Sequence, residues 1–390
     1  MKKRIMFERN SRRSNSKSTK VKTIVQKTFD ISLELFRILL GLVFIFSGFV
    51  KAIDPLGSTY KIQDYLTSFG DSFVQFHFIA FPLGIALSTI ELLIGLCFLL
   101  KIKLKTTSIL AVLFMLIMLP LTLYLAVTNR VSDCGCFGDA IKLTNWETFY
   151  KNVILFILIL FVLFNTKKNR NLFLPNIEWI FIILFLLSGV GISIYSVRHL
   201  PMIDFLPYKV GVNIPEGMKV PEGKPVDKYD TKLIYEKDGV SKEFTLQNYP
   251  KDSTWRFVDQ KTTLISKGYE PAIHNFTVVD ATQNDITDEV IHFQGDVYLV
   301  VMYDVNNASK EGAIKAETLY QQTKSTGAQF YVLSGSTVED IAKFAKENKL
   351  TFPFYNTDPT TLKTIIRANP GFVTIKNGTI TGKWNWRDFE

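Results

Sequence analysis

The clearest chemical potential in this 390-residue chain lies in two cysteines separated by one glycine. They belong to the run Asp133-Cys134-Gly135-Cys136-Phe137-Gly138-Asp139. A ring closed by two such close cysteines is strained, and strained, exposed disulfides tend to be labile or catalytic. The two flanking carboxylates oppose thiolate formation, because nearby negative charge raises the pKa of a thiol. We take Cys134 and Cys136 as candidate catalytic residues.

Two other readings of this run stay open. The cysteines can form a structural disulfide, or two thiolates and two carboxylates can hold a soft or borderline metal ion. The run has no histidine, and the ligand spacing of a zinc site is missing, so no metal ligand is assigned. Cys97, the third cysteine, lies in an apolar stretch and is interpreted as a small core residue.

The elements that must position the cysteine run are membrane helices. A helix of about 20 residues, rising 1.5 Å per residue, crosses a hydrocarbon core of about 30 Å. The spacing of Thr144 and Glu147 is that of a capping box and predicts the start of the fourth helix. Hydrophobic residues make up 47% of the chain, and most of their excess lies before residue 200, which excludes a single soluble globule. Five stretches reach the required length: Ile31–Val50, Phe78–Leu100, Thr106–Val127, Phe149–Phe164 with its flanks, and Ile177–Val197.

Positive charge is concentrated in the N-terminal tail, residues 1–28. The tail has ten Lys and Arg against one acid and accounts for the whole net charge of +9, so the neutral remainder offers no groove for nucleic acid. Basic residues also mark the loops 101–105 and 166–171, and the positive-inside rule places all three segments in the cytoplasm. This predicts a multi-pass protein of the cell inner membrane, with the cysteine run and everything after about residue 198 on the periplasmic side, where disulfides persist.

Two charged residues lie deep in the first two predicted spans: Arg37 is six residues from the start of the first, and Glu91 is nine residues from the end of the second. An isolated charge at that depth costs at least about 2.5–3.5 kcal/mol, so we expect Arg37 of the first span and Glu91 of the second to form a pair. Glu34, three residues before Arg37 on the same helix face, is a second candidate partner. The pair either locks two helices together or has a proton or cofactor role.

The first span contains the pattern Arg37-x3-Gly41-x2-Phe44-x2-Ser47-Gly48-x2-Lys51, which resembles the opening of DoxX-type bacterial membrane proteins. The run Cys134-Gly135-Cys136-Phe137-Gly138 resembles the signature of the related MauE family, which is implicated in maturing methylamine dehydrogenase. Together the two patterns cover residues 29–165, a four-helix membrane domain. The resemblance implies a role in disulfide formation or electron transfer outside the cytoplasm.

The fifth span lies within residues 166–198, and a connector with strand-rich pieces follows over 199–270. From Pro271 the pattern alternates strands (276–280, 297–303, 329–333) with helices (312–326, 337–348) and ends in an Asn377-Gly378 hairpin. This order resembles a thioredoxin-like domain of the TlpA or peroxiredoxin type, over residues 271–390. In that fold Pro370 stands at the position of the cis-proline.

The thioredoxin-like domain departs from its family at the expected Cys-x-x-Cys pair. That place reads Asp304-Val305-Asn306-Asn307-Ala308, and no cysteine follows Cys136 anywhere in the chain. Thiolate chemistry in this domain is therefore excluded. The fold class is an all-α membrane unit of four helices plus a fifth, followed by an extracytoplasmic α/β domain.

Two hypotheses from different classes fit the sequence. In one, Cys134 and Cys136 exchange electrons with an extracytoplasmic thiol or client protein, with a quinone open as a cofactor, and the cysteine-free domain docks the client. In the other, the protein is a non-catalytic membrane assembly scaffold with a structural disulfide. The sequence alone does not decide whether the chain is an enzyme.

Overall fold

The chain is described by a computed structural model that covers residues 2–166, 172–225, 228–237, 239–250, 254–266 and 268–390. It divides into two compact units, residues 1–206 with 387–390, and residues 207–386. We describe each unit by itself.

The first unit is helical. Within the described residues, five of its helical segments are long and apolar enough to cross a membrane, which confirms the five predicted spans. The side chains of residues 1–25 and the loop 167–171 lie outside the described part, so the orientation derived from their charges stays a prediction. The helices are α1 (Lys2–Ile53), α2 (Pro55–Phe69), a 3-10 segment (Asp71–Ile79), α3 (Ala80–Leu100), α4 (Leu104–Thr128), α5 (Asn145–Phe164) and α6 (Pro175–Arg198).

The closest helix pair in this unit is α1 with α3. A methyl group on Gly48 would lie 2.4 Å from the backbone nitrogen of Leu92, and one on Gly95 would lie 2.4 Å from that of Ile45. Small residues of this kind let two membrane helices touch backbone to backbone. The contact fixes the antiparallel register, because only one alignment places both glycines against the partner helix.

This register corrects the predicted Arg37–Glu91 pair. Arg37 donates to Glu34 at 2.9 Å and to the carbonyls of Phe98 and Leu99 at the end of α3. Glu91 lies two turns further back along α3 and pairs with Lys51 at 2.5 Å. The predicted pair assumed a similar depth in the membrane for both charges, whereas the glycine contacts set Arg37 beside the end of α3 and Glu91 beside the other half of α1. The second candidate partner, Glu34, is confirmed.

The second unit holds two sheets. An antiparallel sheet of order β2-β1-β3 joins β1 (Lys228–Lys237), β2 (Val240–Thr245) and β3 (Arg256–Ser266). A five-stranded sheet of order β6-β5-β4-β7-β8 joins β4 (Asp296–Val301), β5 (Gln329–Ser334), β6 (Phe354–Asn356), β7 (Gly371–Lys376) and β8 (Thr379–Asn385). The helices of this unit are α7 (Ile214–Met218), α8 (Thr287–Ile291), α9 (Lys310–Thr326), α10 (Val338–Asn348) and α11 (Pro359–Ile365).

The five-stranded sheet has the expected thioredoxin-like order. Strands β4, β5 and β6 run parallel, and β7 and β8 run antiparallel on the other side of β4. The bond between Asn369 and Pro370 is cis, as the resemblance implied. The predicted strand 276–280 is wrong, because Val279 makes only isolated bridges to Asp285 and Asn356. In place of a Cys-x-x-Cys pair, a short 3-10 turn, Val305–Asn307, follows β4.

Candidate dithiol site

The cysteine run lies in the loop between α4 and α5, which hydrogen bonds tie down at both ends. The start of α5 is fixed by the predicted capping box of Thr144 and Glu147, which the structure confirms. One residue later, the Asn145 amide donates to the carbonyl of Val131 at 2.8 Å and to the side chain of Asn129 at 3.1 Å. The two helix ends thereby hold the loop in one conformation.

Within the loop, a tight turn brings the two cysteines together. The Asp133 carboxylate accepts the Gly135 N–H at 2.9 Å, and the Gly138 N–H donates to the Gly135 carbonyl at 3.0 Å. Gly135 has φ +59°, and a methyl group there would lie 3.0 Å from the Lys61 side chain. Glycine at this position therefore satisfies both the left-handed backbone and the close approach of α2.

The two sulfur atoms lie 3.3 Å apart and are not joined by a disulfide bond. The residues are buried, with exposed fractions of 4% for Cys134 and 8% for Cys136, and they pack against Leu125 and Val131. A small closure would bring the sulfurs to the bonding distance of about 2.05 Å. The geometry thus places a dithiol where it can become a disulfide.

Helix α2 covers one side of the dithiol. The Tyr65 hydroxyl donates to the Cys134 carbonyl and lies 3.6 Å from the Cys134 sulfur. The Lys61 ammonium pairs with Asp133 at 2.9 Å. The sequence reading missed both residues because it treated 51–77 as a loop. The missed signal was Asp54-Pro55, an N-cap followed by proline at the first helical position.

Helices α1 and α3 supply polar groups beside Cys136. The Ser47 hydroxyl lies 2.7 Å from the Cys136 carbonyl and 2.7 Å from one oxygen of Glu91, and these are its two alternative acceptors. The other oxygen of Glu91 accepts from Lys51 at 2.5 Å. Ser47 and Lys51 belong to the first-span pattern quoted above, so the sequence contained them without assigning them a role.

A small cavity adjoins Cys136. It has a volume of about 20 Å³, room for one water molecule. Its polar lining comes from Ser47, Glu91, Lys151 and Asn152, and its apolar wall includes Phe44, Phe114 and Met115. The Lys151 ammonium stands 4.3 Å from the centre of the Phe137 ring. Positively charged side chains therefore lie near the loop on two helices, Lys151 on α5 and Lys51 on α1.

The surroundings give the two thiols opposite acidities. The hydrogen bond from Cys134 lowers the pKa of Cys136 to about 6, against the opposing effect of burial, and the charges of Lys151 and Lys51 act in the same direction. The same hydrogen bond, together with burial, raises the pKa of Cys134 well above its ordinary value. Such a pair loses its protons in two separate steps, the first of which leaves the thiolate on Cys136.

The remaining candidate residues lie apart from the dithiol. Arg37 belongs to the opposite end of the α1–α3 contact, and Cys97 is buried in α3. Asp139 lines a different recess, together with Val50 and Asp54. Across the part of the chain that the structure describes, no three His, Cys, Asp or Glu side chains converge as a metal site.

Comparisons with known proteins agree with the division into two units. Residues 29–165 match the family described as methylamine utilisation protein MauE, and residues 229–267 match a domain of unknown function (DUF8463). The thioredoxin domain of a thiol-disulfide oxidoreductase from Bacteroides vulgatus is 18% identical, over 27% of this chain and 81% of that one, with a TM-score of 0.24. No curated protein is significantly similar to the chain. The chain is thus similar to MauE proteins in its membrane segment, and the sheet order of its second unit is thioredoxin-like.

Proposed function

We propose that the protein carries out thiol–disulfide exchange at the membrane, with Cys134 and Cys136 as the redox pair. The observation that carries this proposal is the 3.3 Å separation of the two sulfurs in surroundings that favour one thiolate. The MauE match supports a membrane redox role for residues 29–165. The orientation predicted from charge puts the loop on the oxidising, extracytoplasmic side of the membrane.

The chemistry is a two-electron exchange with a client protein. The Cys136 thiolate attacks one sulfur of a client disulfide, a mixed disulfide forms, and the other client sulfur leaves as a thiolate. The Cys134 thiol then gives up its proton and attacks the Cys136 sulfur, which releases the second client thiolate. The loop ends as a disulfide, and the client ends as a dithiol after taking up one proton from Cys134 and one from solvent. The reverse sequence oxidises a client.

The second unit is proposed to dock the client. It contributes no cysteine, since none follows Cys136, so its part in the exchange is limited to binding. The Val305–Asn307 turn stands where related domains carry their redox pair. A fold that has lost its chemistry can retain a binding surface, which is the role we assign here.

The quinone that the sequence left open as an electron acceptor does not fit the cavity beside Cys136. That cavity measures about 20 Å³, whereas an apolar cavity that admits a benzene ring measures on the order of 150 Å³. A quinone ring would require the helices around Cys136 to separate. We therefore derive no step through a quinone and propose a protein thiol or disulfide as the exchange partner.

One observation favours the second candidate function, a non-catalytic scaffold with a structural disulfide. Both cysteines are almost fully buried, at 4% and 8% exposure, and a buried disulfide is protected from exchange. In the redox proposal, α2 must move aside so that a client sulfur can approach. Reduction potential distinguishes the two functions.

The test is a redox titration of the purified full-length protein. The fraction of free thiol at Cys134 and Cys136 is measured by alkylation shift in thiol buffers from about −150 to about −320 mV. A midpoint above about −300 mV supports exchange, and a pair that stays oxidised below that value supports the scaffold. The Cys97→Ser variant should titrate like the parent, whereas Cys134→Ser and Cys136→Ser should lose the transition. Mixed-disulfide trapping with Cys134→Ala should then capture the client.

A further inference from the structure

The buried ion pair of Lys51 and Glu91 has no part in the exchange as described so far. Its two charged atoms lie 2.5 Å apart, and the side chains are only 12% and 4% exposed. Both residues lie in membrane-spanning helices, where charges are costly and mark function by default. The pair is not needed to hold α1 against α3, because the contacts of Gly48 and Gly95 already do so. Replacing a buried ion pair by apolar residues is often neutral or stabilising, so a contribution to helix packing alone does not explain why the Lys51–Glu91 pair is present.

The pair is connected to the dithiol by position and by hydrogen bonds. Ser47, one helical turn before Lys51, lies 2.7 Å from both Glu91 and the Cys136 carbonyl. The positive charge of Lys51 acts on Cys136 from α1. The charged and titratable groups that act on Cys136 come from α1, α2, α3, α5 and the loop itself: Lys51, Tyr65, Glu91, Lys151 and Cys134.

We propose that Lys51, kept charged and in place by Glu91, is a positioning residue that holds Cys136 as the attacking thiolate. This inference rests on the proposed exchange function and names the groups that tune its nucleophile. Lys51 acts through its charge, and Glu91 acts through Lys51. Ser47 fixes the distance between this pair and the loop.

If Glu91 acts through Lys51, removing its charge should change the acidity of the Cys136 thiol in the direction opposite to the one that simple electrostatics predicts. Removing a negative charge near a thiolate should by itself make the thiolate easier to form. In a low-dielectric bundle, however, Lys51 without its carboxylate loses its proton, because an unpaired buried charge is too costly. The thiolate then loses its positive neighbour. Glu91→Gln is therefore expected to make Cys136 harder to deprotonate, not easier.

The experiment follows iodoacetamide modification of Cys136 from pH 5 to pH 10 in the reduced full-length protein, with the modified peptide measured by mass spectrometry. Lys51→Met and Glu91→Gln should each slow modification at pH 6.5 by roughly threefold, because the pH midpoint rises by about one unit from its value near 6. Lys51→Arg, which keeps the charge, should retain most of the parent rate.

A matched control uses the other ion pair between the same two helices. Lys101 and Glu34 lie 2.6 Å apart at the far end of α1 and α3, so Lys101→Met should leave the pH midpoint of Cys136 unchanged. The apolar double variant Lys51→Met/Glu91→Leu should remain folded and show the shift of Lys51→Met. Because the double variant leaves no unpaired buried charge, it is expected to fold even if a single variant does not, and the test can then still be made.

The outcomes separate this inference from the proposed function. A Cys136 midpoint that falls in Glu91→Gln, or stays unchanged in the folded double variant, overturns the role of the pair. Failure of the parent loop to titrate above about −300 mV overturns the exchange function itself. If the redox titration of the loop supports exchange but the pH midpoint of Cys136 does not change in the Lys51 variants, the exchange function stands and the positioning role is wrong.

Discussion

At the scale of single residues, the site depends on a division of roles between two chemically identical thiols. Cys136 is hydrogen-bonded by Cys134 and faces Lys51 and Lys151, whereas Cys134 lies against Tyr65. Asp133, which the sequence suggested would oppose a thiolate, has its charge balanced by Lys61 at 2.9 Å. The types and spacing of the cysteines could be read from the sequence. The identity of the cations could not, because they come from three helices far apart along the chain.

The first prediction concerns the pH dependence of the dithiol. Because the pKa of Cys136 is lowered to about 6, the reduced parent protein should be alkylated at this position with a half-maximal rate near pH 6. A free cysteine has a pKa of about 8.5. In Cys134→Ala the hydrogen bond that is the main cause is gone, so the midpoint should move upward. Alkylation rates between pH 5 and pH 10 check this, and an unchanged midpoint in Cys134→Ala would contradict it.

A second residue-scale prediction tests the hydroxyl of Tyr65. Tyr65→Phe keeps the ring but removes the donor to the Cys134 carbonyl, and losing such a bond costs about 1 kcal/mol of folding stability. The Tyr65 hydroxyl also lowers the pKa of Cys134, so closure of the loop disulfide should slow in the variant. Tyr124→Phe is the matched control, since Tyr124 packs against the same cluster but its hydroxyl donates to the Ser68 carbonyl and not to Cys134. Equal closure rates in both variants would refute the role of Tyr65.

At the scale of elements, the membrane helices were predictable because hydropathy over about 20 residues is a strong local signal. Helix α2 was missed because it has only 15 residues and a mixed surface, although it covers the site. The pairing of charges between α1 and α3 was also missed. Helix register depends on which small residues meet, and Gly48 and Gly95 set it through contacts that no local pattern encodes.

The element-scale prediction is that the α1–α3 contact is required for the dithiol environment. In Gly95→Ala the new methyl group would lie 2.4 Å from the Ile45 nitrogen, so the helices must separate. We expect a loss of about 1–3 kcal/mol in stability and a rise in the pH midpoint of Cys136, because Glu91 lies one turn away on the same helix. Gly191→Ala in α6 is the control, since a methyl group there meets nothing within 4 Å. Thermal unfolding in detergent compares the two, and equal stability would show that the contact is dispensable.

At the scale of the whole molecule, the cysteines and the thioredoxin-like sheet belong to different units. All three cysteines lie in the first unit, and the thioredoxin-like sheet of the second has none. The order of its elements along the chain was predicted from the alternation of strands and helices, because parallel β-α-β units leave a regular pattern, whereas the three-residue strand β6 was not predicted. The three-stranded sheet β2-β1-β3 was anticipated only as strand-like pieces. Its strands bury none of their described side chains and therefore give a weak alternation signal.

The last prediction is the orientation on which the proposed exchange depends. In a Cys97→Ser/Cys134→Ser/Cys136→Ser background, single cysteines are placed at exposed positions: Ile141 in the loop after the dithiol, Val338 in the second unit and Lys105 in the first turn of α4. A membrane-impermeant maleimide added to intact cells should label Ile141→Cys and Val338→Cys, since the positive-inside rule puts both outside the cytoplasm. Lys105→Cys should react only after permeabilisation. Labelling of Lys105→Cys in intact cells, with Ile141→Cys protected, would place the dithiol in the reducing cytoplasm. A stable disulfide is not maintained there, and the exchange with extracytoplasmic clients would have to be abandoned.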